Sequence, residues 1–120
     1  VSDITKEQFQ QKIENCYTDY YNQWMQLSAT ELIQKAEEIA AVQLMANELP
    51  QQISDEQAEY LLQFKNPLEV VSDGWLSENG SDVPVIDEAL DHVLWRLIDT
   101  GDAEEMYEME TPESDGLQMS

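Results

Sequence analysis

Residues 49–76 read LPQQISDEQAEYLLQFKNPLEVVSDGWL, and two helix starts are written into them. Ser54 followed by Gln57 is a capping box, in which each side chain satisfies a backbone N–H that the first turn leaves orphaned. Ile53, just before the cap, is placed to staple against the helix it precedes. Ala58, Leu61 and Leu62 then recur at helical spacing, and the segment ends near Phe64. Asn66-Pro67 restarts the chain, because Asn caps well and proline's missing N–H costs nothing at the first helical position. Leu68, Val71, Trp75 and Leu76 face inward on this next helix, although Gly74 weakens it by about 1 kcal/mol relative to Ala. Two short helices in succession make the fold class all-α.

The flanking segments agree. Upstream, Phe9, Ile13, Cys16, Tyr17, Tyr20, Trp24 and Leu27 mark one face of a first helix, with Thr5 and Gln8 as its capping box. Ser28 with Glu31 opens a second helix through Leu32, Ile33, Ala36, Ile39, Ala40 and Leu44 to Leu49, where Pro50 is expected to stop it. With almost no linker, these two form an antiparallel hairpin or a sharply bent pair. Downstream, residues 77–84 (SENGSDVP) read as a loop. Residues 85–100 carry a tight stripe of Ile86, Leu90, Val93, Leu94, Leu97 and Ile98, and Gly101 suits the C-terminal stop. The expected architecture is a compact bundle of about five helices over residues 1–101. Residues 102–120 follow as an acidic, partly disordered tail, with room for one docked turn around Met106, Tyr107 and Met109. No segment reads as a strand, and no internal repeat is visible.

Size and composition narrow the function. At 120 residues the chain is most simply one domain. No stretch approaches the roughly 18–20 apolar residues of a membrane helix. The opening VSDITKEQFQQ has neither the apolar region nor the small-residue cleavage site of a signal peptide, so a cytoplasmic location is expected. One cysteine, Cys16, permits no internal disulfide and no zinc spacing.

Charge is the strongest functional signal. Twenty-six Asp and Glu face five Lys and Arg, a net −21, on a chain that is nevertheless 42% apolar. Such a chain folds, and its surface repels bare nucleic acid and anionic membranes alike. The charge is uneven: residues 81–120 carry twelve acids and one arginine. These acids lie on the outer face of the last helix (Asp87, Glu88, Asp91), at its C-terminal end (Asp99, Asp102) and along the tail (Glu104, Glu105, Glu108). Asp99 and Asp102 sit where the helix dipole prefers cations, so local stability does not select them. A domain of this length has a radius of gyration near ~14 Å and spans roughly 35 Å, and that length of duplex DNA carries on the order of 20 charges.

No catalytic constellation competes with this. His92 is the only histidine and lies beside Asp91 and Glu88, but a lone helical His among carboxylates reads as a surface residue. Cys16 falls on an apolar helix face and lacks a neighbouring base. The acidic stretches 73–82 and 99–110 do not fit the register of a calcium-binding loop. No phosphate loop or nucleophile elbow occurs. Tyr17, Tyr20 and Trp24 lack the basic neighbours of a base-stacking platform and read as core, with Tyr21 off the stripe and partly exposed. No catalytic residue, metal site or cofactor is expected.

The runs ELIQKAEEIAAVQLMANELP and SDEQAEYLLQFKNPLEVVSDGW carry a resemblance. Over about residues 20–80 the chain resembles a family of short, uncharacterised acidic helical proteins carried on mobile elements of anaerobic bacteria. Their shared pattern is an acidic helix, then S/T-D-E-Q-A-x-x-L-L, then N-P-L. The acidic final third departs from that pattern. What the resemblance implies is a context, that of small acidic proteins countering host defence, and it brings no catalytic residues.

The expected function is a non-enzymatic, DNA-mimicking inhibitor. Its partner would be the basic surface of a nucleic-acid-binding defence protein, such as a CRISPR effector or a restriction enzyme. Asp87, Glu88, Asp91, Asp99, Asp102, Glu104, Glu105 and Glu108 are the expected contacts. The alternative is a helical adaptor with an apolar groove, acidic only for solubility, in which Trp75, Leu76 or the Met106–Tyr107–Met109 trio meets the partner.

Overall fold

The computed structural model describes residues 2–79 and 86–110. Seven helices follow one another among them: α1 (Ser2–Trp24), α2 (Ala29–Gln34), α3 (Ala36–Gln52), α4 (Asp55–Leu61), α5 (Pro67–Asn79), α6 (Ile86–Thr100) and α7 (Ala103–Met106). The all-α class is as the sequence implies. The count exceeds five because the second helix breaks in two and the tail supplies the turn α7.

The local start signals work as their chemistry requires. Ser28 and Glu31 form a complete capping box, with Ser28 N–H donating to Glu31 Oε1 at 2.8 Å and Glu31 N–H to Ser28 Oγ at 3.2 Å. Ser54 and Gln57 do the same at 2.9 and 3.2 Å. Asn66 Oδ1 accepts the Glu69 N–H at 3.1 Å, and Gly101 adopts the left-handed φ of 68° that lets α6 end.

Three boundaries differ from expectation. Thr5 is not a cap, because nothing in residues 2–4 stops the helix and α1 starts at Ser2. Pro50 does not end α3, which runs on to Gln52. Proline there forfeits its own N–H and crowds the preceding turn, yet the ladder resumes after it: the Ile53 N–H closes the final turn on the Leu49 carbonyl at 3.1 Å. The second helix breaks at Lys35 (φ −99°, ψ 9°), whose N–H still reaches the Glu31 carbonyl at 3.0 Å and whose own carbonyl accepts the Ile39 N–H at 2.8 Å. The bend lets α2 turn the corner, and α3 then runs back antiparallel to α1. Tyr17 lies opposite Gln43, and Gln10 and Ile13 share a groove with Pro50 and Gln51. The hairpin is therefore α1 against α3, with α2 as its corner. Of the expected loop 77–84, residues 77–79 belong to α5 and residues 80–84 lie outside the described residues, as do residues 111–120.

Helices α3 and α5 form the centre. Val42, Met45 and Leu49 from α3 meet Leu68, Val71 and Trp75 from α5, all essentially without solvent contact. Helix α1 covers one side of this pair with Phe9, Ile13 and Trp24; α6 covers another with Leu90, Val93 and Leu94. Gly74 has a packing reason: a Cβ there would meet Val93 Cγ1 at 3.2 Å, so glycine lets α5 and α6 approach. Beyond α6 the chain is tied down as far as residue 110. Lys65 N–H donates to the Glu108 carbonyl (3.0 Å), and Glu110 N–H donates to Gln63 (2.6 Å), an isolated antiparallel bridge that pairs Phe64 with Met109. Tyr107 and Met109 are half-buried against the core.

Phe64 is fully buried beneath this strip, edge-on to Tyr60 at 5.5 Å. Phe64→Ala is expected to lower stability by about 3–5 kcal/mol, whereas Ser54→Ala removes only a cap and costs about 1 kcal/mol. Urea denaturation midpoints check both, and comparable losses would contradict this placement of the core.

Candidate functional site

Helix α6 buries Leu90, Val93 and Leu94, so its opposite face meets solvent. Asp87, Asp91, Trp95 and Asp99 follow at four-residue steps and form one row over about 18 Å of helix. Glu88 lies beside this row. The acids are exposed and Trp95 is half-buried. The only cation on α6, Arg96, lies off the row and pairs with Glu78 of α5 at 3.6 Å. His92 also faces Glu78, at 3.4 Å, and not the Asp91 and Glu88 that flank it in sequence.

The eight expected contact residues divide into two groups. Three have structural partners. Asp91 Oδ1 accepts the Nε2 of buried Gln57 at 3.0 Å, Glu104 accepts the Tyr60 hydroxyl at 3.2 Å, and Glu108 pairs with Lys65 at 3.3 Å. The other five are free of cations: Asp87 accepts only its neighbour's N–H, and the carboxylates of Glu88, Asp99, Asp102 and Glu105 have no partner among the described residues. Asp102 precedes α7 without capping it through its side chain. Asp99, Asp102, Glu104 and Glu105 follow the end of α6 into α7, so the acidic row continues around the helix end. No helix among those described has a basic residue in its last turn. The negative end of the α6 dipole therefore adds to this field.

Cations are committed elsewhere. Lys12 pairs with Glu110 and Lys65 with Glu108, both fastening the C-terminal strip, while Arg96 is held by Glu78. Lys6 and Lys35 are exposed on the far helices α1 and the α2–α3 bend.

A second acidic group was missed from sequence. Glu38 of α3 and Glu69 and Asp73 of α5 converge around Tyr20, and Glu69 and Asp73 act on Tyr107 as well. Burial, then the like charges of Asp73 and Glu38, push the Glu69 carboxyl above its ordinary pKa. Tyr107 donates to Asp73 Oδ2 at 2.8 Å, and burial with this bond raises its phenol pKa. Burial raises Tyr20, with Glu69, Asp73 and Glu38 adding to it. Burial and Glu104 push Tyr60 up to about 12. Glu69 and Asp73, four apart on α5, are a like-charge pair readable in sequence; the arrival of Glu38 and Tyr107 is not. Trp95 was also missed, because it lies off the apolar stripe.

Between α5, α6 and α7 runs a cleft of about 610 Å³. Its lining includes Asp73, Leu97, Asp102, Met106 and Tyr107. Met106 is the one member of the expected trio that stands clear of the core, at 71% exposure. Trp75 is buried and reaches no partner surface, and Leu76 is half-buried. Cys16 packs in the core, where burial raises its thiol pKa. Tyr17, Tyr20 and Trp24 pack together as an aromatic cluster, with Tyr21 half exposed. Among the described residues no group of three or more His, Cys, Asp or Glu is arranged to hold a metal, and no helix is long and apolar enough to cross a membrane.

Compared with protein-family models, curated proteins and solved structures, the chain matches none of them.

The raised pKa of Glu69 has a thermodynamic sign. The folded state holds this proton more tightly than the unfolded state, so the favourable contribution exists on the acid side and is lost as pH rises through the folded value. At neutral pH Glu69 therefore costs stability. Glu69→Gln is expected to raise the urea midpoint near pH 7, with the gain falling away as pH drops through the raised folded value and gone below about pH 4, where both states hold the proton. A destabilised variant at neutral pH would refute the clustering of Glu38, Glu69 and Asp73.

Proposed function

We propose that the protein is a non-enzymatic acidic binding protein that occupies the basic, nucleic-acid-binding surface of another protein. It acts as a DNA mimic, and its target class is a defence nuclease such as a CRISPR effector or a restriction enzyme. The observation that carries this is the row of unneutralised carboxylates on α6 and its continuation around α7. A stable fold needs none of Asp87, Glu88, Asp99, Asp102 or Glu105 as partners for its own cations. Effectors that hold nucleic acid in positively charged channels offer the complementary surface. The resemblance of residues 20–80 to mobile-element proteins points to the same setting.

Dimensions refine the mimicry. The long axis is 48 Å, not the 35 Å expected from length alone. A duplex of that length carries about 28 charges, against a net −21 here. Averaged along its axis the protein is thus less charged than DNA, and imitation is local, concentrated on α6 and α7. Trp95 in the middle of the acidic row supplies an apolar anchor of the kind that dominates interface energetics. Of the residues named for the adaptor alternative, Trp75 lies in the core, Leu76, Tyr107 and Met109 are half-buried, and Met106 alone is exposed.

Displacement of a labelled DNA duplex from a purified RNA-guided nuclease or restriction endonuclease tests this function. The protein is expected to compete, with affinity falling about tenfold or more between 50 and 200 mM salt. The combined variant Asp87→Lys, Glu88→Lys, Asp99→Lys and Glu105→Lys, which spares the Gln57–Asp91 bond, is expected to abolish competition while keeping its helical circular dichroism. Competition that ignores salt and survives these reversals would overturn the proposal.

A further inference from the structure

We infer that the cleft between α5, α6 and α7 is an anchor pocket for a long cationic side chain, lysine or arginine, carried by a partner protein. The inference deepens the function proposed above and rests on its claim of a basic partner, because it names where that partner's most deeply placed cation goes. Three carboxylates line the cleft, Asp73, Glu78 and Asp102, against one cation, Arg96, which Glu78 already holds at 3.6 Å. The last turn of α6 contributes Leu97 and Thr100 to the wall. Its end has no basic residue, and among the described residues only the Leu97 carbonyl of its last four receives a donor, from the Gly101 N–H and the Tyr60 hydroxyl. The negative end of the helix dipole thus stands at the cleft uncompensated.

The apolar part of the lining decides between a hydrated cation and a side chain. Buried Val70 and Ala103 form the floor, Leu97 the apolar part of the wall, and exposed Met106 completes the lining. A lysine or arginine places its methylene stem on such surface while its head stays among carboxylates and water. A bare inorganic cation gains nothing from that floor, and an uncharged apolar segment leaves the carboxylates unanswered. Tyr107 fixes Asp73 by its 2.8 Å bond, so one carboxylate of the pocket is preoriented. Asp102 has no side-chain partner among the described residues and is free to close on the incoming head.

An amide-resolved NMR titration of the full chain tests the pocket, with N-acetyl-arginine amide, N-acetyl-lysine amide and the uncharged N-acetyl-norleucine amide as probes. The two cationic probes are expected to shift the amides of Gly74, Ser77, Leu97 and Ala103 most, and norleucine amide to shift them little. Asp102→Asn is expected to weaken the cationic probes about threefold, the size of one exposed ion pair. Thr100→Trp, which fills the mouth from an exposed position, is expected to remove the response while leaving the rest of the spectrum in place. Shifts spread evenly along the outer face of α6, or equal shifts with norleucine amide, would overturn the pocket and leave the acidic-face function standing. Occupation of the cleft by the cationic probes alongside failed duplex competition would uphold the pocket and remove the nuclease target.

Discussion

Scarcity of positive charge is the constraint around which this structure is arranged. A chain of net −21 must fold against its own repulsion, and it has five cationic side chains to do so. Three of them close contacts between elements distant in sequence: Lys12 with Glu110, Lys65 with Glu108 and Arg96 with Glu78. Two of these pairs fasten the C-terminal strip over Phe64. Exposed ion pairs are individually weak, on the order of 1 kcal/mol or less. Their placement still matters here, because it leaves no cation among the described residues to neutralise the outer face of α6. Holding the tail and keeping that face negative are two results of one allocation.

Burial supplies what the charges cannot. The α3–α5 interface, with α1 and α6 on its flanks, carries the apolar contacts that oppose both chain entropy and repulsion. Gln57 links this core to the acidic face. Its side chain is buried, so its amide must be satisfied internally, and it completes the α4 capping box and donates to Asp91. That bond ties the start of α4 to α6. Asp91 thus has a structural duty that its neighbours Asp87 and Glu88 lack, and the acidic row mixes residues held by the fold with residues it leaves free.

The strip from Gly101 to Glu110 changes the shape of the candidate site. A loose acidic tail is a diffuse source of charge. Docked through the Phe64–Met109 bridge and the Tyr107–Asp73 bond, it becomes a wall, and with α5 and α6 it encloses a cleft. Acids separated by some thirty residues then act on one volume. Glu38, Glu69 and Asp73 gather in the same way on the side of Tyr20, at a cost that shows in the raised pKa of Glu69.

Features that depend on neighbours within four residues follow from the order of the amino acids. The capping boxes at Ser28 and Ser54, the Asn66 cap, the Gly101 stop, the core stripe of α6 and the crowding of acids after residue 81 were all legible, since backbone hydrogen bonds at helix ends and i,i+3 or i,i+4 spacing are local matters. The packed fold sets the bend at Lys35 and the persistence of α3 past Pro50. It also sets the half-buried place of Trp95 in the acidic row and which carboxylates remain free, whereas the inward face of Trp75 was already in the spacing. Each of these turns on contacts between residues far apart in the chain, where packing sets position and a carboxylate's role depends on whether a cation or an amide is brought within reach.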